Sequence, residues 1–156
     1  MRKTDLVAPC GDYCGGCGQY NGLIVETAKQ MKDFANLYGF EFRSKESFDF
    51  KQFVKGLDWF IENAKCHSCK QGGGPPWCEV KKCCVEKGLR ICFECKDFLC
   101  PKFKDYEDPD TMNRYKRFKE IGFEKWVNEQ KQKANEGYEI HLQKVASLKP
   151  YRGQES

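Results

Sequence analysis

Residues 78–100 read CEVKKCCVEKGLRICFECKDFLC and hold six of the eleven cysteines in the chain. Thiols are kept at such density for disulfides, for metal ligation or for redox catalysis. The odd count pairs badly, and the opening MRKTDLVAPCG has no apolar leader segment. The expected compartment is therefore the cytoplasm, where thiols stay reduced, and metal ligation becomes the reading. Within the stretch, Glu79 to Lys87 has a helical composition and Gly88 stands at the C-cap position.

Working outward, residues 71–77, QGGGPPW, cannot be helical and form an irregular loop that needs an anchor. Cys66 and Cys69 precede it, and a loop at 10–18, CGDYCGGCG, carries Cys10, Cys14 and Cys17. Three CxxC pairs result: Cys14 with Cys17, Cys66 with Cys69, and Cys92 with Cys95. Two intervening residues let both thiolates reach one ion from a tight turn, and Gly15, Gly16 and Gly18 relax the first of these turns. A thioredoxin-like redox pair needs a strand before it and a helix after it, which the glycines and prolines at 72–76 deny the second pair.

Cys10, Cys78, Cys83 and Cys100 flank the pairs, so ten thiolates are the expected ligands: Cys10, Cys14, Cys17, Cys66, Cys69, Cys78, Cys83, Cys92, Cys95 and Cys100. Neighbouring side chains on a helix diverge by about 100°. Cys84, adjacent to Cys83, therefore reads as a small buried hydrophobe. His67 reads as a surface residue, and His141, far from the cysteines in sequence, as structural or exposed.

Thiolate softness suits zinc and iron–sulfur clusters alike. Cys10, Cys14 and Cys17 match the CxxxCxxC fingerprint of radical S-adenosylmethionine enzymes, and Cys100–Pro101 matches the CP ending of bacterial ferredoxin motifs. The chain is too short and too helical for the barrel of the former, and its cysteines are too scattered for the latter. Two zinc ions are the expected cofactors, with an iron–sulfur cluster as the alternative. The formal charge of +4 falls to zero once eight thiolates and two divalent ions are counted, so it argues little for nucleic acid. Lys81, Lys82, Lys87 and Arg90 are interrupted by Glu79, Glu86 and Glu94, which reads as a solvated face.

The expected fold is mainly α: one small metal-stabilised domain over 1–156, with irregular cysteine-rich loops and little or no sheet. A metal loop at 1–18 precedes a helical pair at 19–65, a metal block at 66–103 and C-terminal helices at 108–148. Leu23, Thr27, Met31, Phe34, Ala35 and Tyr38 recur at helical spacing before Gly39. Phe50, Phe53, Val54, Leu57, Ile61 and Ala64 do so after Ser47, a candidate cap. Both aromatic stripes read as core. Asp108 with Pro109 opens a helix running to Gly122, and Phe123, Trp126 and Val127 begin another that ends near Gly137. Tyr138, Ile140 and Leu142 alternate, which fits a short strand or a last helix; the tail at 150–156 reads as frayed. No stretch is long and apolar enough to span a membrane.

These motifs resemble the prokaryotic family catalogued as domain of unknown function 3795. The likeness rests on CGDYCGGC at 10–17, the pair Cys66 and Cys69, the block at 78–100 and IGFEKWVNEQ at 121–130. It covers about positions 8 to 130, and it implies zinc binding without an assigned activity. The long insert between Gly18 and Cys66 and the QGGGPP loop depart from the commoner family pattern.

Two histidines and no triad offer little for catalysis, and Glu86 and Glu94 read as solvated carboxylates. The expected role is a zinc-stabilised module that binds a protein partner.

Overall fold

The structure is a computed structural model, described for residues 6–146; the tail at 150–156 lies outside the described residues. The fold is mainly α, with a sheet of only two short strands. The backbone groups into two compact units, Gly18–Cys66 and the rest of the chain.

The first unit is a helical hairpin. Helix α1 (Leu23–Leu37) packs along α3 (Phe50–Asn63), joined through a single turn of helix, α2 (Phe40–Arg43). Gly39, at φ +62°, turns the chain out of α1. The cap of α3 is Asp49, whose carboxylate accepts the Gln52 N–H at 3.1 Å, and not the expected Ser47. Lys32 and Asp58 tie the two helices at 2.5 Å. The stripe of α3 is half-buried, but Met31 and Phe34 of α1 and Tyr38 at its C-cap are exposed, so the core reading of that stripe does not hold.

In the second unit, α4 (Glu79–Glu86) ends as the sequence predicts, with Gly88 at φ +64° and the Leu89 N–H returning to the Cys84 carbonyl at 2.9 Å. The short α5 (Pro101–Lys104) follows Cys100. Helix α6 (Thr111–Ile121) starts later than expected, because Asp108 and Pro109 form the turn before it. There the Asp110 N–H donates to Asp108 Oδ1 at 2.8 Å, and Thr111 Oγ1 accepts the Asp108 N–H at 2.9 Å. Gly122, at φ +79°, separates α6 from α7 (Phe123–Asn135). Of the alternating residues beyond α7 only Tyr138 is in a strand: β1 (Tyr138–Glu139) pairs antiparallel with β2 (Lys144–Val145), and Ile140 and Leu142 lie in the turn between them.

The core of this unit is built on Phe93, a residue inside a CxxC pair. Its fully buried ring meets Phe98 at 5.1 Å, Tyr115 and Phe118 at 5.6 Å and Trp126 at 6.0 Å, each edge to face. A Cβ on Gly11 would lie 2.5 Å from that ring, and Gly11 has φ +93°, so only glycine lets the N-terminal loop lie on the core.

Candidate metal centre

Two CxxC pairs fold into the same knuckle. Cys14–Gly16 and Cys92–Glu94 are 3-10 turns, and in each the second cysteine closes the turn: the Cys17 N–H donates to the Cys14 carbonyl and the Cys95 N–H to the Cys92 carbonyl, both at 2.9 Å. Such a turn brings two thiols of one pair to the same side, as a shared ion requires. Within the second knuckle Phe93 points into the core, while Glu94 pairs with Arg90. That guanidinium lies 4.0 Å over the Phe123 ring, so Glu94 is a structural partner.

The thiols of the larger unit gather in two groups. One is formed by Cys83, Cys84, Cys92, Cys95 and Cys100, which line a small cavity between α4, α5 and the second knuckle. Cys84 is buried as the sequence predicts, yet its sulfur lies 3.2 Å from that of Cys92. A hydrogen bond to Cys84, then burial, hold the Cys92 thiol far above its ordinary range, and the same bond lowers Cys84. Two thiolates cannot share so close a space without a proton or a cation between them. Lys87 donates to Cys95 at 3.4 Å and to Asp97 at 3.1 Å.

The other group is formed by Cys10, Cys14, Cys17 and Cys69. Cys14 and Cys69 hydrogen-bond to each other, which raises Cys14 and brings Cys69 down to about 7, with Lys81 adding to the lowering. Cys10 is pushed up by burial and by Asp12, whose carboxylate is 3.4 Å from its sulfur. Arg114 of α6 holds Asp12 at 3.4 Å and Asp108 at 2.8 Å, fixing the loop to the helix. The QGGGPPW loop finds its anchor here: a Cβ on Gly74 would lie 2.9 Å from the Cys69 sulfur, and the Gly73 carbonyl accepts Lys81 Nζ at 3.1 Å.

Two further predicted ligands, Cys78 and Cys66, have other hydrogen-bond partners. Cys78 caps α4, its sulfur accepting the Lys81 N–H at 3.5 Å, and it also bonds the Tyr106 hydroxyl, pushing that phenol up to about 12. Cys66 closes the hairpin unit, where its N–H donates to the Gln19 carbonyl at 3.2 Å. His67 is exposed, as expected.

His141 is exposed, as one of its two expected readings has it, but the sequence does not join it or Glu139 to the cysteines. Cys17, Glu139 and His141 place one ligand atom each within 4.8 Å of the others. His141 hydrogen-bonds Cys17, which raises the imidazole to about 9. The signal was faint: a lone histidine some 120 positions after Cys17, joined to it only through the docking of the β1–β2 hairpin.

A mainly helical fold organised around cysteine knuckles defines a cysteine-rich, loop-stabilised class of protein. The chain belongs to the family described as protein of unknown function DUF3795, whose model matches residues 6–105. No curated protein and no solved structure matches it. Among the described residues, no helix is long and apolar enough to cross a membrane.

Proposed function

We propose that this chain is a structural zinc protein whose thiolates hold the irregular loops against the helical core. The observation that carries the reading is the gathering of five cysteines around one cavity, with the Cys84 and Cys92 sulfurs at 3.2 Å. Two thiolates on one tetrahedral zinc ion, at about 2.3 Å each, stand roughly 3.7 Å apart, so a small relaxation admits the ion. Cys84, Cys92, Cys95 and Cys100 are the set that this distance favours. A four-thiolate site is coordinatively closed and does no chemistry of its own. The role therefore lies in a surface offered to a protein partner, a reading supported by the exposed Phe34, Leu37, Tyr38, Phe42 and Trp59 of the hairpin.

The test is metal content by plasma mass spectrometry, paired with a visible absorption spectrum, on protein purified without oxygen. About two zinc ions per chain and no visible absorption are expected. Iron with matching sulfide and a brown colour would instead make the chain a redox or cofactor-handling protein. Cys84→Ser should release the ion of the cavity while Cys83→Ser retains it; the reverse result reassigns the ligand to Cys83.

A further inference from the structure

The C-terminal hairpin is docked on the first knuckle. Gly137, at φ +86°, turns the chain out of α7 into β1, and the Ile140 N–H donates to the Gly16 carbonyl at 3.1 Å. A Cβ on Gly16 would lie 2.9 Å from Ile140 Cγ2 and 3.3 Å from the Tyr138 carbonyl oxygen. Gly16 is therefore needed for close approach, and loosening the CxxC turn is not its only use.

This contact carries Glu139 and His141 to Cys17. Glu139 is only 6% exposed, and its Oε2 accepts the N–H groups of His141 at 2.8 Å and Leu142 at 2.7 Å. Those two bonds fix the carboxylate in the hairpin turn. A divalent ion taken up by His141 in place of a proton would meet a carboxylate already held in position and a thiol that ionises on binding metal. The hydrogen-bonded Cys14–Cys69 pair adjoins the triad: Cys14 feels the charge of Cys17, and Cys69 that of His141.

We propose that Cys17, Glu139 and His141 form a mixed-ligand zinc site, completed by a thiolate of the Cys14–Cys69 pair, that clamps the C-terminal hairpin to the N-terminal cysteine loop. Sulfur, imidazole and carboxylate together suit a borderline-soft divalent ion, and four such donors complete a tetrahedron. Both hairpin ligands lie beyond the residues that the family model matches. The proposal rests on the reading that the cysteines hold metal, and adds to it a ligand set that is not all thiolate.

The experiment uses the full chain, freed of metal and reloaded anaerobically with zinc or with Co(II) as a spectroscopic probe. In His141→Ala, one ion should be lost or bound at least tenfold more weakly, and the d–d bands of tetrahedral Co(II) should shift; His67→Ala should change neither. On the wild-type chain, zinc should shield His141 but not His67 from diethyl pyrocarbonate, read by peptide mass spectrometry, which holds even if the alanine variant fails to fold. Full metal content and an unchanged Co(II) spectrum in a folded His141→Ala, or equal modification of both histidines with and without zinc, overturns the site while leaving the structural-zinc reading intact. A wild-type chain that binds no metal overturns both.

Discussion

The two units place their aromatic residues in opposite ways. In the larger unit Phe93, Phe103 and Trp126 are fully buried and Phe118 and Phe123 nearly so, all in one cluster with Cys84 and Cys92. In Gly18–Cys66 the buried apolar side chains are alanines, Ala28, Ala35 and Ala64, while Leu37 and Phe42 are each 81% exposed. Composition is similar in kind; what differs is thiol. Where thiols of separate turns meet, as those of Cys84 and Cys92 do, short irregular backbone brings rings together from distant positions. Where they do not, stability rests on one helix lying along another, and a pair that small buries little.

Metal removal should separate the two units most strongly. Structural zinc sites in small domains stabilise by on the order of 10 kcal/mol per ion. A strong chelator should therefore abolish amide-exchange protection in α4 and α6 while α1 and α3 change far less. Equal loss in both units would mean that the hairpin also depends on metal. Acid should act in the same direction. Cys14 and Cys92 are raised by their thiol partners and by burial, so each keeps its proton in the absence of metal and releases it on binding. Affinity should then fall about tenfold per pH unit for each proton displaced, as a competing chromophoric chelator would report.

The sequence made the helices legible because their apolar periodicity is local, and it made the knuckles legible because a CxxC turn is closed within four residues. Gly88 and Gly39 ended their helices as read. Less legible was anything decided by a distant neighbour. The exposure of Phe34 and Tyr38 depends on what covers α1, which periodicity does not encode. Divergence from Cys83 says little about Cys84, whose sulfur meets that of Cys92, approaching from a separate turn. His141 needed the bond from Ile140 to Gly16, a pairing that neither residue announces.

A smaller effect should follow from the core ring alone. Phe93→Ala removes the side chain that four other rings and Gly11 pack against, and a buried Phe→Ala change costs about 3 to 5 kcal/mol. Because Phe93 lies between two thiols, the loss should appear both as a lower denaturant midpoint and as faster release of the cavity ion. A variant that loses stability but releases metal at the wild-type rate would show that knuckle and core are energetically separate.

The smallest change in stability is expected from the exposed apolar side chains of the helical hairpin, and it sharpens the comparison most directly. Leu37→Gln and Phe42→Gln remove apolar surface already in water, so the melting transition should move by no more than about 0.5 kcal/mol in equivalent stability. If these side chains serve a partner, the same variants should lose retention of that partner while keeping full metal content. Destabilisation by 2 kcal/mol or more would instead mean that both side chains are covered in solution, giving the helical hairpin an apolar core like that of the larger unit.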